Sequence, residues 1–328
     1  EYLYPASAIK IFASAGILLW LQDKRREVDS LGLDAEVMAC PEGDGACEVI
    51  VDESNRDGQT LTLGHVLLKM HLVSDNKAFN MLYDLVGHRE LHQRFWDLGY
   101  GSLRVHHRMF SRGDAEEQRV TPRIQLRTTT GAIVQIPRRE SDLVLPATPV
   151  SGLRVGTAHR AKSGRRREEP MDFTHKNFVS IADLHRLIIA VNAPGEDLRS
   201  ALPLEDDLRS FLRVATTTLP HRSSNPRYPH LREGWGRFKP LCRGVPHVGE
   251  GGGTSCSNKA GNAYGFLLDN VYMRSEATGD AVAVTVGMYV NPNGVINDDD
   301  YGYDEEGRPL LRAMGVSIAQ RHLDAGNH

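Results

Sequence analysis

Tyr4-Pro5-Ala6-Ser7-Ala8-Ile9-Lys10-Ile11-Phe12 opens a run that stays almost wholly apolar to Leu21. Its reading decides the fold. Ser7 and Lys10 stand three apart, so a helix puts them on one face, a turn from each other. The residues that follow are apolar on nearly every side, the pattern of a buried central helix, expected over residues 7–22. A lysine on such a helix is desolvated, so its pKa falls and its amine can take a proton. A serine at the helix start then has a base for its hydroxyl and backbone amides near for an oxyanion. The plain alternative is that Ser7 caps the helix and Lys10 snorkels to water.

Two later segments bear on that choice. Val73-Ser74-Asp75-Asn76 follows the apolar-rich stretch Leu67–Leu72, and Asn258-Lys259-Ala260-Gly261 opens a strand-like run, Ala263–Leu268. S-x-x-K, S-D-N and K-[ST]-G, in that order, form the motif set of the penicillin-recognising serine enzymes. The first two match; the third reads K-A-G. The chain therefore resembles the class A β-lactamase and penicillin-binding-protein superfamily, nearest its β-lactamase-related serine hydrolases. The resemblance runs from Tyr4 to the C-terminal helix and is weakest in the middle third.

The resemblance implies a single β-lactamase/transpeptidase-like α/β (α+β) domain over residues 1–328. A helical lobe (about 7–240) packs on an antiparallel sheet lobe (about 241–328), with the cleft between them. It also implies roles. Ser7 attacks the carbonyl, Lys10 takes its proton, Ser74 relays a proton to the leaving nitrogen, and Asn76 bonds Lys10 and the substrate amide. Lys259, with Ala260 and Gly261, binds substrate, and the amides of Ser7 and Asn262 form the oxyanion hole. Asp75 ties down its turn. No cofactor or metal is called for. The expected partner is a small β-lactam or peptidoglycan-like substrate, in the periplasm or outside the cell, where β-lactamase activity means antibiotic resistance.

Two departures matter. Ala260 stands where the family usually has Thr or Ser, removing a hydroxyl that contacts the ligand carboxylate. The E-x-x-L-N loop of class A β-lactamases, whose glutamate activates the deacylating water, has no match. The nearest carboxylates are Glu116 and Glu117, the first 40 residues beyond Asn76. They are candidates for that role, with a solvated loop charge as the alternative. The family's sheet begins with strands that precede the S-x-x-K helix, so an incomplete sheet with one uncovered edge is expected. Asn76 and Lys259 lie 183 residues apart, a longer connection than the family's compact enzymes use. Residues 128–170 are the candidate insertion, a decoration of the cleft rim.

Composition fits without deciding. The chain has 328 residues, 40% hydrophobic and 25% charged, enough for a sizeable core. A net charge of −3 invites neither nucleic acid nor an anionic membrane, and no apolar run is long enough to span a bilayer. Four cysteines permit two disulfides, Cys40 with Cys47 and Cys242 with Cys256, or four free thiols.

The remaining pattern predicts a hairpin over 36–52 and helices near 62–73, 77–86, 88–98, 180–191 and 309–322. Short strands are expected at 132–136 and 143–145. The segment 162–169 reads as a solvated loop, and residues 220–246 read as irregular. Two long strands are expected, 262–273 and 281–290. His88 and His92 read as an exposed helix face rather than a metal pair. Residues 249–253 read as a flexible hairpin loop, and 297–302 as an acidic turn. His106-His107 has no context.

Overall fold

A computed structural model describes residues 1–55, 58–110, 113–193, 195–249 and 253–323. The chain opens with a 3₁₀ turn, Ala6–Ile9, that runs straight into α1 (Lys10–Arg25). Every residue of α1 from Lys10 to Leu21 is buried, as its all-round apolarity requires. Next come the hairpin β1 (Glu36–Ala39) and β2 (Glu48–Val49), and the helices α2 (Leu63–Leu72), α3 (Asn76–Val86) and α4 (His88–Asp97). Gly87 and Gly99 follow α3 and α4 at φ of 96° and 82°, values a side chain resists.

The middle of the chain holds short strands: β3 (Val120–Thr121), β4 (Ile124–Arg127), β5 (Ile133–Ile136), β6 (Arg139–Glu140), β7 (Arg154–Val155), β8 (Ala158–Arg160), β9 (Arg166–Arg167) and β10 (Met171–Asp172). Then come α5 (Ile181–Asn192), α6 (Glu196–Arg199) and α7 (Asp206–Thr217). Residues 220–246 form short 3₁₀ turns rather than regular structure. The last third supplies β11 (Thr254–Asn258), β12 (Gly261–Ala263), β13 (Phe266–Ser275), β14 (Ala281–Tyr289), β15 (Val295–Ile296) and α8 (Arg308–His322).

Among the described residues two sheets have four strands. One orders β2-β1-β4-β5 beside the helices. The other has β13 in its centre, paired with β14 on one side and with β11 and β12 on the other, all antiparallel. β11 and β12 keep one register along β13, from Thr254↔Ser275 to Ala263↔Phe266, so they act as one edge strand interrupted at Lys259-Ala260. At the opposite side β14 pairs with β13 alone among the described strands. α5 packs against β13 and β14. Across the sheet, Ala319 and Leu323 close over Val271 and Met273.

Several expectations need correction. The predicted strand 262–273 is two strands: Tyr264 and Gly265 take φ of 56° and 82° and turn the chain between β12 and β13. No strand forms at 143–145. His88 and His92 are buried, not on an exposed face. His92 Nδ1 donates to the His88 carbonyl (2.7 Å) and its Nε2 accepts from the Val105 amide (2.9 Å). The segment 162–169 is exposed but belongs partly to the β8–β9 hairpin. α7 carries no expectation from the sequence. The loop reading of 249–253 falls largely on residues outside those described.

Both cysteine pairs are disulfides, Cys40–Cys47 and Cys242–Cys256. The first closes the β1–β2 turn, and the second ties the irregular segment to β11. No described helix is long and apolar enough to cross a membrane.

Candidate active site

The 3₁₀ turn sets Ser7 and Lys10 one above the other, because side chains three apart eclipse in that geometry. Lys10 is fully buried and reaches the bend that joins α2 to α3. Its Nζ lies 2.5 Å from the Ser74 carbonyl, 2.6 Å from Asn76 Oδ1, and 3.3 Å from both Ser74 Oγ and the Asp75 carbonyl. Burial, then the nearby charge of Lys259, depresses its pKa well below that of an ordinary lysine, against the pull of Asp75. A neutral amine satisfies its two nearest acceptors with two N–H bonds and keeps a lone pair. Ser7 Oγ is not among its partners, so the Ser7 hydroxyl is left to the cleft.

The bend is held from outside. Asp75 caps α3 by accepting from the Ala78 amide (2.8 Å), the role expected of it. Lys69 pairs with Asp52 and lies 3.9 Å from Asp75, linking the bend to the hairpin region. Ser74 sits at a φ of 56°.

The edge strand closes the third side. Lys259 is buried, and its Nζ donates to Ser74 Oγ (2.9 Å) and to the Ala260 carbonyl (3.0 Å). Ser74 Oγ thus lies between two lysines. Burial pushes the Lys259 pKa down to about 7; buried Asp269 opposes this and Lys239 adds to it. Behind Lys259 runs a buried chain. Lys239 Nζ donates to Asn258 Oδ1 (2.8 Å), and Asn258 Nδ2 donates to Asp269 Oδ1 (2.7 Å).

The register also aims the strand's amides. The Lys259 amide donates to the Asn270 carbonyl, so residues 259, 261 and 263 face β13 and the Asn262 N–H points to the free edge. Gly261 packs directly on the Ser7 turn.

Two cavities meet at Ser7. The smaller, about 240 Å³, is lined by Lys259, Ala260, Asn262, Arg237 and Arg308 as well as Ser7 and Ser74. Arg237 and Arg308 carry no motif, so the sequence gives no sign of this cationic wall. The larger, about 670 Å³, also holds Ser7, Ser74, Asn76 and Asn262. His106 and His107 line it, as do Lys162 at the β8–β9 turn and Tyr301 beyond β15. The 128–170 region and the acidic turn therefore help build its walls; β8 and β15 pair with each other. Glu116 and Glu117 are exposed and line neither cavity; Asp114 is the carboxylate of that loop on the wall. Eight described non-glycine residues have left-handed φ, and six of them line the larger cavity: Ala6, Ser74, Phe110, Tyr264, Asn297 and Asp299. Such strain concentrates where function over-determines the backbone. No cluster of metal ligands occurs among the described residues.

Residues 1–136 match the family model described as Beta-lactamase enzyme family. A β-lactamase from Desulfarculus baarsii DSM 2075 superposes with a TM-score of 0.53 at 14% identity, covering 98% of this chain and 84% of its own. The class A β-lactamase of Mycobacterium abscessus gives 0.52 at 13%, covering 98% and 85%. The chain has the β-lactamase/transpeptidase-like fold. PBP-A shares that fold at a TM-score of 0.50 and 16% identity, covering 98% and 82%. No curated protein matches the chain. The resemblance to class A β-lactamases and penicillin-binding proteins therefore holds in three dimensions as well as in the motifs.

Proposed function

We infer that the protein is an acyl-serine enzyme, acting on β-lactams or a related strained or activated amide or ester. One observation carries this reading: Ser7, Lys10, Ser74, Asn76 and Lys259 converge on one cleft, with Lys10 buried and Ser74 Oγ between two amines. Ser7 Oγ bonds to the carbonyl carbon while its proton passes to the Lys10 lone pair, directly or through a water. The oxyanion is met by the amides of Ser7 and Asn262. As the C–N bond breaks, Ser74 gives its proton to the leaving nitrogen and recovers one from Lys10. Lys259, with Arg237 and Arg308 nearby, attracts the substrate carboxylate.

Hydrolysis of the ester needs a base near the acyl carbon. Glu116 and Glu117 line neither cavity, whereas Asp114 of the same loop, with His106 and His107, lines the larger one. The absence of the E-x-x-L-N pattern from the sequence favours slow turnover, as in a peptidoglycan D-Ala-D-Ala peptidase, over fast β-lactam hydrolysis. The two disulfides support an oxidising, exported setting.

Incubation with a fluorescent penicillin, followed by intact-mass analysis, tests the reading. A stoichiometric adduct that Ser7→Ala abolishes is expected. A folded wild-type protein that takes no label would make it a non-catalytic binding module that keeps the fold.

A further inference from the structure

The segment 220–246 carries five arginines and Lys239 against a single acid, Glu233, in a chain of net charge −3. None of those arginines forms an ion pair with a described residue. Two of them, Arg222 and Arg227, line a cavity of about 380 Å³ with His221, Ser223, Ser224 and Pro229. This cavity shares no lining residue with the two that meet at Ser7. Among the described residues no carboxylate lines it. It presents two guanidiniums, an imidazole and two hydroxyls.

Ser223 Oγ, Ser224 Oγ and the Arg227 guanidinium have no partner among the described residues, and His221 Nδ1 is buried without one. Arg222 donates to the Gly249 carbonyl through one nitrogen, which leaves the rest of its fork. Burial, then the charges of Arg222, Arg232 and Arg243, hold the His221 pKa below its ordinary value. Like charges gathered this way repel, and a bound anion removes that cost. The loop that carries them is fixed at its base. Asn225 Nδ2 donates to Oδ1 of buried Asn55 (2.7 Å), and Pro226 is buried. The His221 ring lies 6.5 Å from that of buried Trp235. An anion therefore meets donors already in place.

We propose that His221, Arg222, Ser223, Ser224 and Arg227 form a binding site for a phosphate group, outside the Ser7 cleft. Guanidinium forks match phosphate oxygens two at a time. Hydroxyl and imidazole donors beside them suit a tetrahedral anion with several acceptor oxygens better than a planar carboxylate with two. Arg222, Ser224 and Arg227 are exposed, so the phosphate can belong to a larger molecule. The same segment continues to Arg237 and Phe238 in the wall of the smaller cavity, so such a molecule docks on the segment that walls the cleft. The proposal is independent of acylation.

The test titrates the full chain with inorganic phosphate at constant ionic strength, by calorimetry and by thermal melting. One phosphate per chain should bind and raise the melting temperature, and chloride should not replace it. Arg227→Gln removes a side chain without a partner, so the variant should fold as the wild type does. It should bind phosphate at least about tenfold more weakly and lose the shift in melting temperature. Ser224→Ala should weaken binding several-fold, and Arg165→Gln, in the exposed β8–β9 turn, should change nothing. A polyphosphate chain and phosphatidylglycerol vesicles then separate the sources. Whichever binds more tightly than free phosphate, and loses that binding in Arg227→Gln, carries the group; if neither does, free phosphate is the ligand. No phosphate binding by the wild type, binding that Arg227→Gln and Ser224→Ala leave unchanged, or an equal loss in Arg165→Gln would overturn the proposal, whether or not Ser7 takes a penicillin.

Discussion

Gly261 lies so close to Ser7 that a methyl group on its α-carbon would fall 2.6 Å from the Ser7 amide nitrogen. The same methyl would come within 2.5 Å of the Ala8 nitrogen and the Pro5 carbonyl oxygen. All three are backbone atoms of the turn that carries Ser7, so none can swing aside. The edge strand and the 3₁₀ turn are therefore fitted to each other through a missing side chain. Gly261→Ala should push β12 away from Ser7, misalign the Ser7 and Asn262 amides, and lower penicillin labelling at least about 100-fold, the scale of losing an oxyanion donor. Overpacking of this kind costs about 1–3 kcal/mol, so thermal unfolding should shift down by several degrees. Normal labelling by this variant would show that the two segments do not act together.

Ala260 suggests a gain of function. It sits in the smaller cavity beside Lys259 and Arg308, where the proposed mechanism places the substrate carboxylate. A threonine there supplies a hydroxyl to that carboxylate. A hydrogen bond to a charged group contributes about 1.5–3 kcal/mol at best. Ala260→Thr should therefore raise the second-order labelling constant about tenfold, and Arg308→Ala should lower it. A stopped-flow comparison of the three proteins decides whether this cavity holds the carboxylate.

The buried lysines set a pH dependence of stability. Lys239 and Lys259 are pushed down to about 7 by burial, each with Asp269 opposing. In the unfolded chain they titrate near 10.4. Between these values the unfolded state binds more protons, so stability rises with pH, by up to about 1.4 kcal/mol per unit for each lysine. Asp269 works the other way over a lower range. Burial raises it to about 6, against its bonds from Asn258 and Leu241 and the two lysines. Between about 4 and 6 the folded state binds the extra proton, and that contribution falls as pH rises. Urea unfolding at pH 7, 8 and 9 should show rising stability, with a shallower rise in Lys239→Met. A flat wild-type profile would mean that these lysines stay charged in the fold.

Much of this site can be read along the chain because its chemistry is carried by short local patterns. Ser7 and Lys10 are one turn apart, and Ser74 to Asn76 is a helix-capping bend, so spacing alone sets their relation. Lys259 is legible only through its order after the other two. Arg308, Phe110 and Tyr301 are not, because nothing local distinguishes an arginine at the start of α8 or an aromatic in a loop; the fold alone gathers them. The hairpin β12–β13 reads as one strand because Tyr264 is a good strand residue, and only its left-handed φ reveals the turn.

The histidines of α4 separate a packing role from a ligand role. Both ring nitrogens of His92 are engaged, Nδ1 by the His88 carbonyl and Nε2 by the Val105 amide, so neither lone pair is free for a metal. His88 Nδ1 lies 2.8 Å from Ser141 Oγ. Burial depresses the His92 pKa to about 3, with the charge of His88 adding to it. The unfolded chain binds a proton near 6.5, so between about 6.5 and 3 the unfolded state holds more protons and stability falls as pH falls. His92→Leu removes that titration but leaves the buried Val105 amide without an acceptor, at a cost of about 1–3 kcal/mol. At pH 8 the variant should melt several degrees below the wild type, and the gap should narrow towards pH 5. Zinc or a chelator should move neither curve. A zinc-dependent shift in the wild type that His92→Leu abolishes would reassign the pair as a metal site.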